Sequence, residues 1–363
     1  MSARAAFSRV ALAAKAPALA THLASRSGRG PILMYHSIAG RNADGALRAC
    51  LDLLGMQVSV RTFERQMAIL ERDCDVISLS DHLAWRGRPS AQARQGVVIT
   101  FDDGFADNLA NAVPVLERHG FHATFFLIGC CVAQTQVPWI YSLYALLDSL
   151  DHATLSVSTP GAHVDRLVIA SNGAKMAAIR ALRPVVMNGT GAERLLLFDQ
   201  LTDTALRHGR SAVPAERLFM NATDARELVA RGFGLGAHSM THARLTTLSP
   251  DAQRQDIFDS AAVVRKLQGD RMLPFAYPFG TAGSYSPNTT AVLKDAGFAC
   301  ALTTRSGLNG PRTDRFELRR LEIGEIGEAE FLATVSGLLS FPKAVARAIL
   351  EGRWRRAATS ETP

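Results

Sequence analysis

The run Val97-Val98-Ile99-Thr100-Phe101 constrains this chain more than any other stretch. Its residues are apolar or β-branched without a break, so a strand built from them needs cover on both faces. Strands of that kind belong to parallel sheets flanked by helices. The run leads directly into Asp102-Asp103-Gly104. The pattern that follows predicts a helix over about 110–119, stopped by Gly120, and a second apolar strand over 123–128. Strand, helix and strand in that order make a βαβ unit.

The same alternation recurs along the chain. Ile32–Tyr35 is a short buried-strand pattern bounded by Gly30-Pro31 and His36-Ser37. Helical spacing of Phe63, Met67 and Leu70 predicts a helix over 62–70, with Thr62 as its start signal. Asn221 is placed to cap a helix over 224–231 that Gly232 stops, and the strand 233–237 then ends at His238. Further pairs are predicted at 250–267 and 273–277, and at 289–296 and 299–303. Polar residues gathered at strand C-terminal ends point to a parallel barrel or an open parallel sheet. Between about 137 and 218 the apolar residues are scattered, with helix-like pieces at 174–181 and 194–201, and the segment reads as a mostly helical insertion.

At 363 residues, 47% hydrophobic and 20% charged, the chain is long enough for one large α/β domain and ordinary in composition. No stretch reaches the roughly 18 apolar residues of a membrane span. Five cysteines without a CxxC pair make neither a disulfide framework nor a zinc knuckle. They read as small buried hydrophobes and favour a reducing compartment. Residues 1–30 hold no acidic residue, and Lys15 and Pro17 break the apolar run 10–20. A secretory signal needs an unbroken core of about 7–15 apolar residues. A disordered or amphipathic leader is therefore expected, with the cytoplasm or inner membrane periphery as location and secretion as the alternative. The net charge of +7 is concentrated at the ends, including Arg4, Arg9 and Lys15, then Lys343, Arg347 and Arg353. These are read as solvated tails, or as a peripheral contact with an anionic membrane surface or charged polymer. The expected division is a leader over 1–30, a main domain over 31–341 and a basic tail over 342–363. No nucleic-acid partner is expected.

Two constellations carry chemistry. His238-Ser239-Met240-Thr241-His242 sets two imidazoles four residues apart, which in a helical turn places them on one face, able to share a metal ion. Asp102-Asp103 follows a buried strand, and adjacent carboxylates in apolar surroundings are costly unless a cation or a donor offsets them. The alternative is a solvent-exposed turn in which one Asp caps the next helix. Two histidines and one carboxylate around a divalent ion leave positions for water and substrate. Such an ion acidifies water and polarises a carbonyl, while the second carboxylate is free to take a proton. Hydrolysis of an amide or an ester is the matching reaction.

Thr100-Phe101-Asp102-Asp103-Gly104 and His238-Ser239-Met240-Thr241-His242 resemble the first two signature motifs of the NodB-homology polysaccharide deacetylases, carbohydrate esterase family four. Phe275-Ala276-Tyr277-Pro278-Phe279-Gly280 is similar to the third, and Leu33-Met34-Tyr35-His36-Ser37-Ile38 to the opening strand of the branch with an N-terminal extension. The resemblance covers roughly residues 31–325 apart from the insertion. It implies a distorted (β/α) barrel of fewer than eight units and N-deacetylation of a polysaccharide or oligosaccharide by a metal-bound water. It implies Asp102 as general base, and Asp103, His238 and His242 as ligands of one Zn2+, with Co2+ or Ni2+ as substitutes. It further implies that the backbone N–H of Phe279 faces the oxyanion, with Tyr277 and Pro278 beside it. Two departures stand out. Ala276 occupies the place of an Arg that tunes the catalytic Asp, and Arg320 is the candidate to supply that charge, against the reading of an ordinary surface Arg. No His follows His242, where the family has one that protonates the leaving amine, so His36 is the candidate for acid, substrate or supporting duty, against a core or capping role. An O-acetyl esterase and a non-catalytic sugar-binding protein on the same scaffold are the alternatives.

Overall fold

Residues 95–101 form the interior strand of a parallel sheet in the computed structural model, which describes residues 29–40, 48–85, 94–150, 152–210, 218–269 and 271–340. The leader, up to residue 28, and the basic tail lie outside the described residues. In chain order the elements are β1 (Ile32–Tyr35), β2 (Ser37–Ala39), α1 (Arg48–Leu53), β3 (Gln57–Ser59), α2 (Val60–Asp73), β4 (Cys74–Val76), α3 (Leu79–Trp85) and β5 (Gln95–Phe101). A π-helical turn over Asn108–Ala112 precedes α4 (Val113–Arg118), β6 (Thr124–Leu127), α5 (Gly129–Val132) and α6 (Trp139–Ser149). Then come β7 (Thr154–Thr159), β8 (Ala162–Val168), α7 (Asn172–Asn188), α8 (Gly191–Arg207), α9 (Ala222–Ala230) and β9 (Gly234–Ala237). The described chain closes with α10 (Pro250–Gln268), β10 (Pro274–Ala276), α11 (Pro287–Asp295), β11 (Cys300–Leu302), β12 (Leu321–Glu322) and α12 (Glu328–Val335).

The main sheet runs β11-β10-β9-β6-β5-β1-β12, with β4 paired to the first residues of β5, and its strand pairs are parallel. Helices follow most of its strands, as a distorted (β/α) barrel of fewer than eight units requires. Every residue of β5 is buried, as its unbroken apolar pattern demands. Phe101 stacks on Phe125 with ring centroids 4.7 Å apart and on Tyr35 at 5.5 Å. Such rings each contribute about 1.5–3 kcal/mol by leaving water. The hydroxyl of Tyr35 donates to Gln66 Oε1 at 3.0 Å, so the aromatic core is not left with an orphan donor.

Local signals differ from expectation at three places. The helix predicted from Thr62 begins at Val60, because Ser59 is extended and its Oγ accepts the Thr62 N–H at 3.2 Å. Thr62 is therefore the third helical residue and not the cap. The helix predicted over 110–119 is split, with a π-turn before α4, and Pro114 near the junction has no N–H to continue the ladder. The insertion contains helices α6, α7 and α8, which take in the expected pieces, but it also holds the antiparallel hairpin β7–β8 around Pro160-Gly161. Thr154–Thr159 does alternate buried and exposed, the signature of a half-buried strand. A separate apolar core joins these elements, including Tyr144, Leu147, Leu155, Ile179, Leu182 and Leu201.

The cap at Asn221 is present as a reciprocal box. Its side chain accepts the N–H groups of Thr223 and Asp224, and the Asp224 carboxylate accepts the Asn221 N–H at 2.8 Å. Replacing Asn221 with alanine is expected to cost about 1 kcal/mol, read as a lower urea midpoint at unchanged slope. An unaltered midpoint would show that the box contributes nothing. Among the described residues no helix is long and apolar enough to cross a membrane.

Candidate metal centre and active site

The site lies at the C-terminal edge of the parallel sheet. β5 delivers Asp102 and Asp103, β9 delivers His238, and the loop after β10 delivers Phe279. Asp103, Ser239, His242 and Phe279 all have positive φ, between 57° and 69°. Each such residue costs about 1–2 kcal/mol relative to ordinary backbone, and sites of function are where this strain collects.

His238 and His242 do not share a helical turn. The segment after β9 is irregular, and the left-handed residues Ser239 and His242 turn the backbone so that both rings face one point. Asp256 of α10 holds this loop: its Oδ1 accepts the Met240 N–H at 2.9 Å, and its Oδ2 accepts the Thr241 N–H at 3.0 Å and hydroxyl at 2.6 Å. The Ser239 hydroxyl oxygen accepts the His242 N–H at 2.8 Å. Burial pushes the Asp256 carboxyl up, and these donors offset only part of that.

Nδ1 of His238 lies 2.8 Å from the carbonyl of Ala276, an acceptor only, so the neutral ring protonates Nδ1 and keeps its Nε2 lone pair free. The Nε2 atoms of His238 and His242 each stand 3.2 Å from Asp103 Oδ1. That oxygen is buried and has no hydrogen-bond partner among the described residues. One ligand atom from each of the three residues lies within 4.8 Å of the others. Two imidazole nitrogens and one carboxylate oxygen around an orphaned buried oxygen fit Zn2+, Co2+ or Ni2+. Burial raises the Asp103 carboxyl, but the two imidazoles outweigh it and hold the group well below the usual carboxylate range.

Asp102 and Asp103 are both buried, so the exposed-turn alternative does not describe them. Arg320 is also fully buried, at 0% exposure, and no surface residue. Its Nη1 donates to Asp102 Oδ1 and its Nη2 to Oδ2, each at 2.6 Å, while Nε donates to the Thr303 carbonyl at 2.9 Å. Burial pushes the Asp102 carboxyl up, and the guanidinium of Arg320 overcomes this and holds it below its ordinary value. His36 stands at the rim with Nε2 3.9 Å from Asp103 Oδ2, too far for a hydrogen bond.

A cavity of about 320 Å3 is lined by His36, Asp102, Asp103, His238, His242 and Phe279. The sequence-derived candidates from the third motif separate here. Phe279 lines the cavity, and its N–H has no partner among the described residues. Tyr277 turns the other way: its ring stacks on Tyr285 at 4.1 Å and its hydroxyl donates to the Phe316 carbonyl at 3.0 Å. Pro278 is buried and does not line the cavity.

One residue of the site has no sequence motif. The hydroxyl of Tyr141 on α6 donates a short hydrogen bond to Asp103 Oδ2. Tyr141 sits in an aromatic-rich helix whose pattern reports only burial, and nothing in the sequence links it to Asp103. Asp256 was equally silent, one carboxylate on a long polar-faced helix.

The polysaccharide deacetylase family model matches residues 90–154 and 206–301, two blocks that hold Asp102, Asp103, His238, His242 and Phe279. Over 100 residues the chain is 33% identical to YxkH of Bacillus subtilis (strain 168), a relative named for polysaccharide deacetylation. That match covers 27% of this chain and spans 32%, about a third, of the relative's length. In fold the chain is similar to the Streptococcus pyogenes deacetylase PplD, with 16% identity, 85% of this chain and 98% of that one covered, and a TM-score of 0.54. It is also similar to BA0330 of Bacillus anthracis, at 18% identity over 85% of this chain and 69% of that one, with a TM-score of 0.51. The family match and these likenesses agree with the resemblance of the two motifs to the NodB-homology polysaccharide deacetylases, carbohydrate esterase family four.

Proposed function

We propose that the protein is a metal-dependent hydrolase that removes N-acetyl groups from a polysaccharide or oligosaccharide. The observation that carries this reading is the convergence of Asp103, His238 and His242 on one point beside an Asp102 that is ionised by Arg320. A divalent ion held by Asp103 Oδ1 and the two Nε2 atoms, Zn2+ or in its place Co2+ or Ni2+, supplies Lewis acidity toward water and the acetyl carbonyl when bound. Asp102 takes the proton of the attacking water, and Arg320 keeps that carboxylate charged and aimed. The free N–H of Phe279 is the chain's own donor for the oxyanion, already held in place by the left-handed backbone. His36, at the rim of the cavity, is placed to contact substrate or to give a proton to the departing amine. The products are acetate and a free amino sugar.

The Asp102→Asn variant keeps the shape of the carboxylate and removes the base. Its acetate release is expected to fall at least about a hundredfold, with metal content unchanged. Full activity in that variant would remove Asp102 from the mechanism. Release from O-acetylated glycans alone would turn the reading to an esterase, and none from any acetylated glycan would turn it to a sugar-binding protein.

A further inference from the structure

Three cavities meet at Phe279. The first holds the candidate metal ligands, the second, of about 240 Å3, is lined by Arg194, Arg244 and His242, and the third, of about 500 Å3, by Arg180, Arg183 and Arg244. Phe279 borders all three, Arg183 borders the first and third, and Arg244 the second and third. Among the described residues no Asp or Glu lines the second or third cavity. Elsewhere exposed or half-buried arginines find carboxylates: Arg72 with Asp73, Arg118 with Glu64, Arg231 with Glu117 and Arg254 with Asp295. Arg180, Arg183 and Arg244 form no such pair among the described residues.

Arg244 is the most telling of them. It is half-buried, its Nη1 donates to the neutral amide of Asn188 at 2.9 Å, and its Nε is buried with no partner among the described residues. A guanidinium fixed in place without a counter-charge costs free energy that a bound anion would recover. Like charges gathered in a concave wall also focus the field into the groove. Of the described carboxylates lining the first cavity, Asp102 is paired with Arg320 and Asp103 belongs to the candidate metal set, which leaves Glu322 as the opposing charge among the described residues. Arginine suits planar recognition of carboxylate or phosphate oxygens.

We infer that the groove beside the metal centre binds an anionic group, carboxylate or phosphate, carried by the acetylated glycan itself. The inference rests on the deacetylase reading for where the acetylated sugar sits. The segment read as an insertion supplies Arg180, Arg183 and Arg194, and so sets substrate class.

The test uses metal-loaded protein and matched probes. Calorimetry compares N-acetylglucosamine with N-acetylglucosamine 1-phosphate, and chitotetraose with a hyaluronan tetrasaccharide; acetate release is followed on all four. At low salt at least one anionic probe is expected to bind about tenfold tighter than its neutral match. The stronger of the two identifies phosphate or carboxylate. Arg183→Ala and Arg244→Gln are expected to shrink that preference, as is raised salt. Arg254→Ala, which removes one charge that lines none of the three cavities, leaves it intact. Equal binding of neutral and anionic probes, or a preference that both groove variants keep, overturns the inference. Acetate from chitotetraose with no anion preference would sink the subsite and keep the deacetylase. An arginine-dependent preference with no acetate from any probe would do the reverse.

Discussion

Replacing Arg320 with methionine is expected to destabilise the fold by about 3–5 kcal/mol at neutral pH, because it leaves the buried charge of Asp102 without its partner. The loss should depend on pH in a definite direction. In the natural protein the Asp102 carboxyl titrates below its ordinary value, so the pair's contribution is present above the unfolded carboxylate pKa of about 3.9 and disappears as pH falls through the folded value. In the variant burial, which by itself pushes the same carboxyl up, is opposed only by the pull of His238 and His36. The variant should then lose stability as pH rises through that raised value, so the gap between the two proteins widens from pH 4 to pH 7. Urea denaturation at several pH values reads this directly. If Asp102 is the base, the acidic limb of the pH–rate profile should also move upward by about one unit or more. Arg320→Lys, which restores a charge without the two-pronged geometry, should return part of the shift. An unmoved limb in Arg320→Met would reduce Arg320 to a purely structural residue.

The second large effect concerns the metal. His238→Ala and Asp103→Ala are each expected to take stoichiometric metal to below about a tenth and acetate release with it, since three ligands with one removed hold an ion poorly. Elemental analysis after dialysis measures the content. Stability offers a readout independent of activity. An ion that binds only the folded state, present at about 100 times its Kd, adds about 2.7 kcal/mol. A chelator should therefore lower the melting temperature of the natural protein and leave that of His238→Ala where it was. Full metal in either variant would overturn the ligand set.

Much of the fold could be read locally. β5 needed no context, because an unbroken apolar run permits little besides a strand covered on both faces, and the same run located Asp102 and Asp103 at its end. The two histidines were legible as a pair, but their geometry was not. A spacing of four suggests a helical turn, whereas left-handed Ser239 and His242 converge the rings by another route, and sequence does not announce a positive φ at Ser or His. Nonlocal partners were the hardest. Arg320 lies 218 positions from the carboxylate it grips, and before folding it is one arginine of a Leu-Arg-Arg-Leu segment. The hairpin β7–β8 was missed because a single alternating hexapeptide among helical stretches gives a weak signal against its surroundings. Tyr277 was carried to the site by its motif neighbours, and the structure turns it into the core.

The bond from Tyr141 to Asp103 has a bearing on how this scaffold could be cut and rejoined. Helix α6 begins the segment that the sequence marks as an insertion, yet the family match continues through it to residue 154 and resumes only at 206. An engineer wishing to exchange that segment for one from a similar fold, or to pare the protein down to its barrel, has to place the junction after Leu150. A splice made before Trp139 would carry off the hydroxyl that satisfies one oxygen of Asp103, and the shortened chain would fold around a carboxylate free to swing away from His238 and His242. Modularity in this protein thus has a seam, and the seam runs on the far side of that segment's first helix.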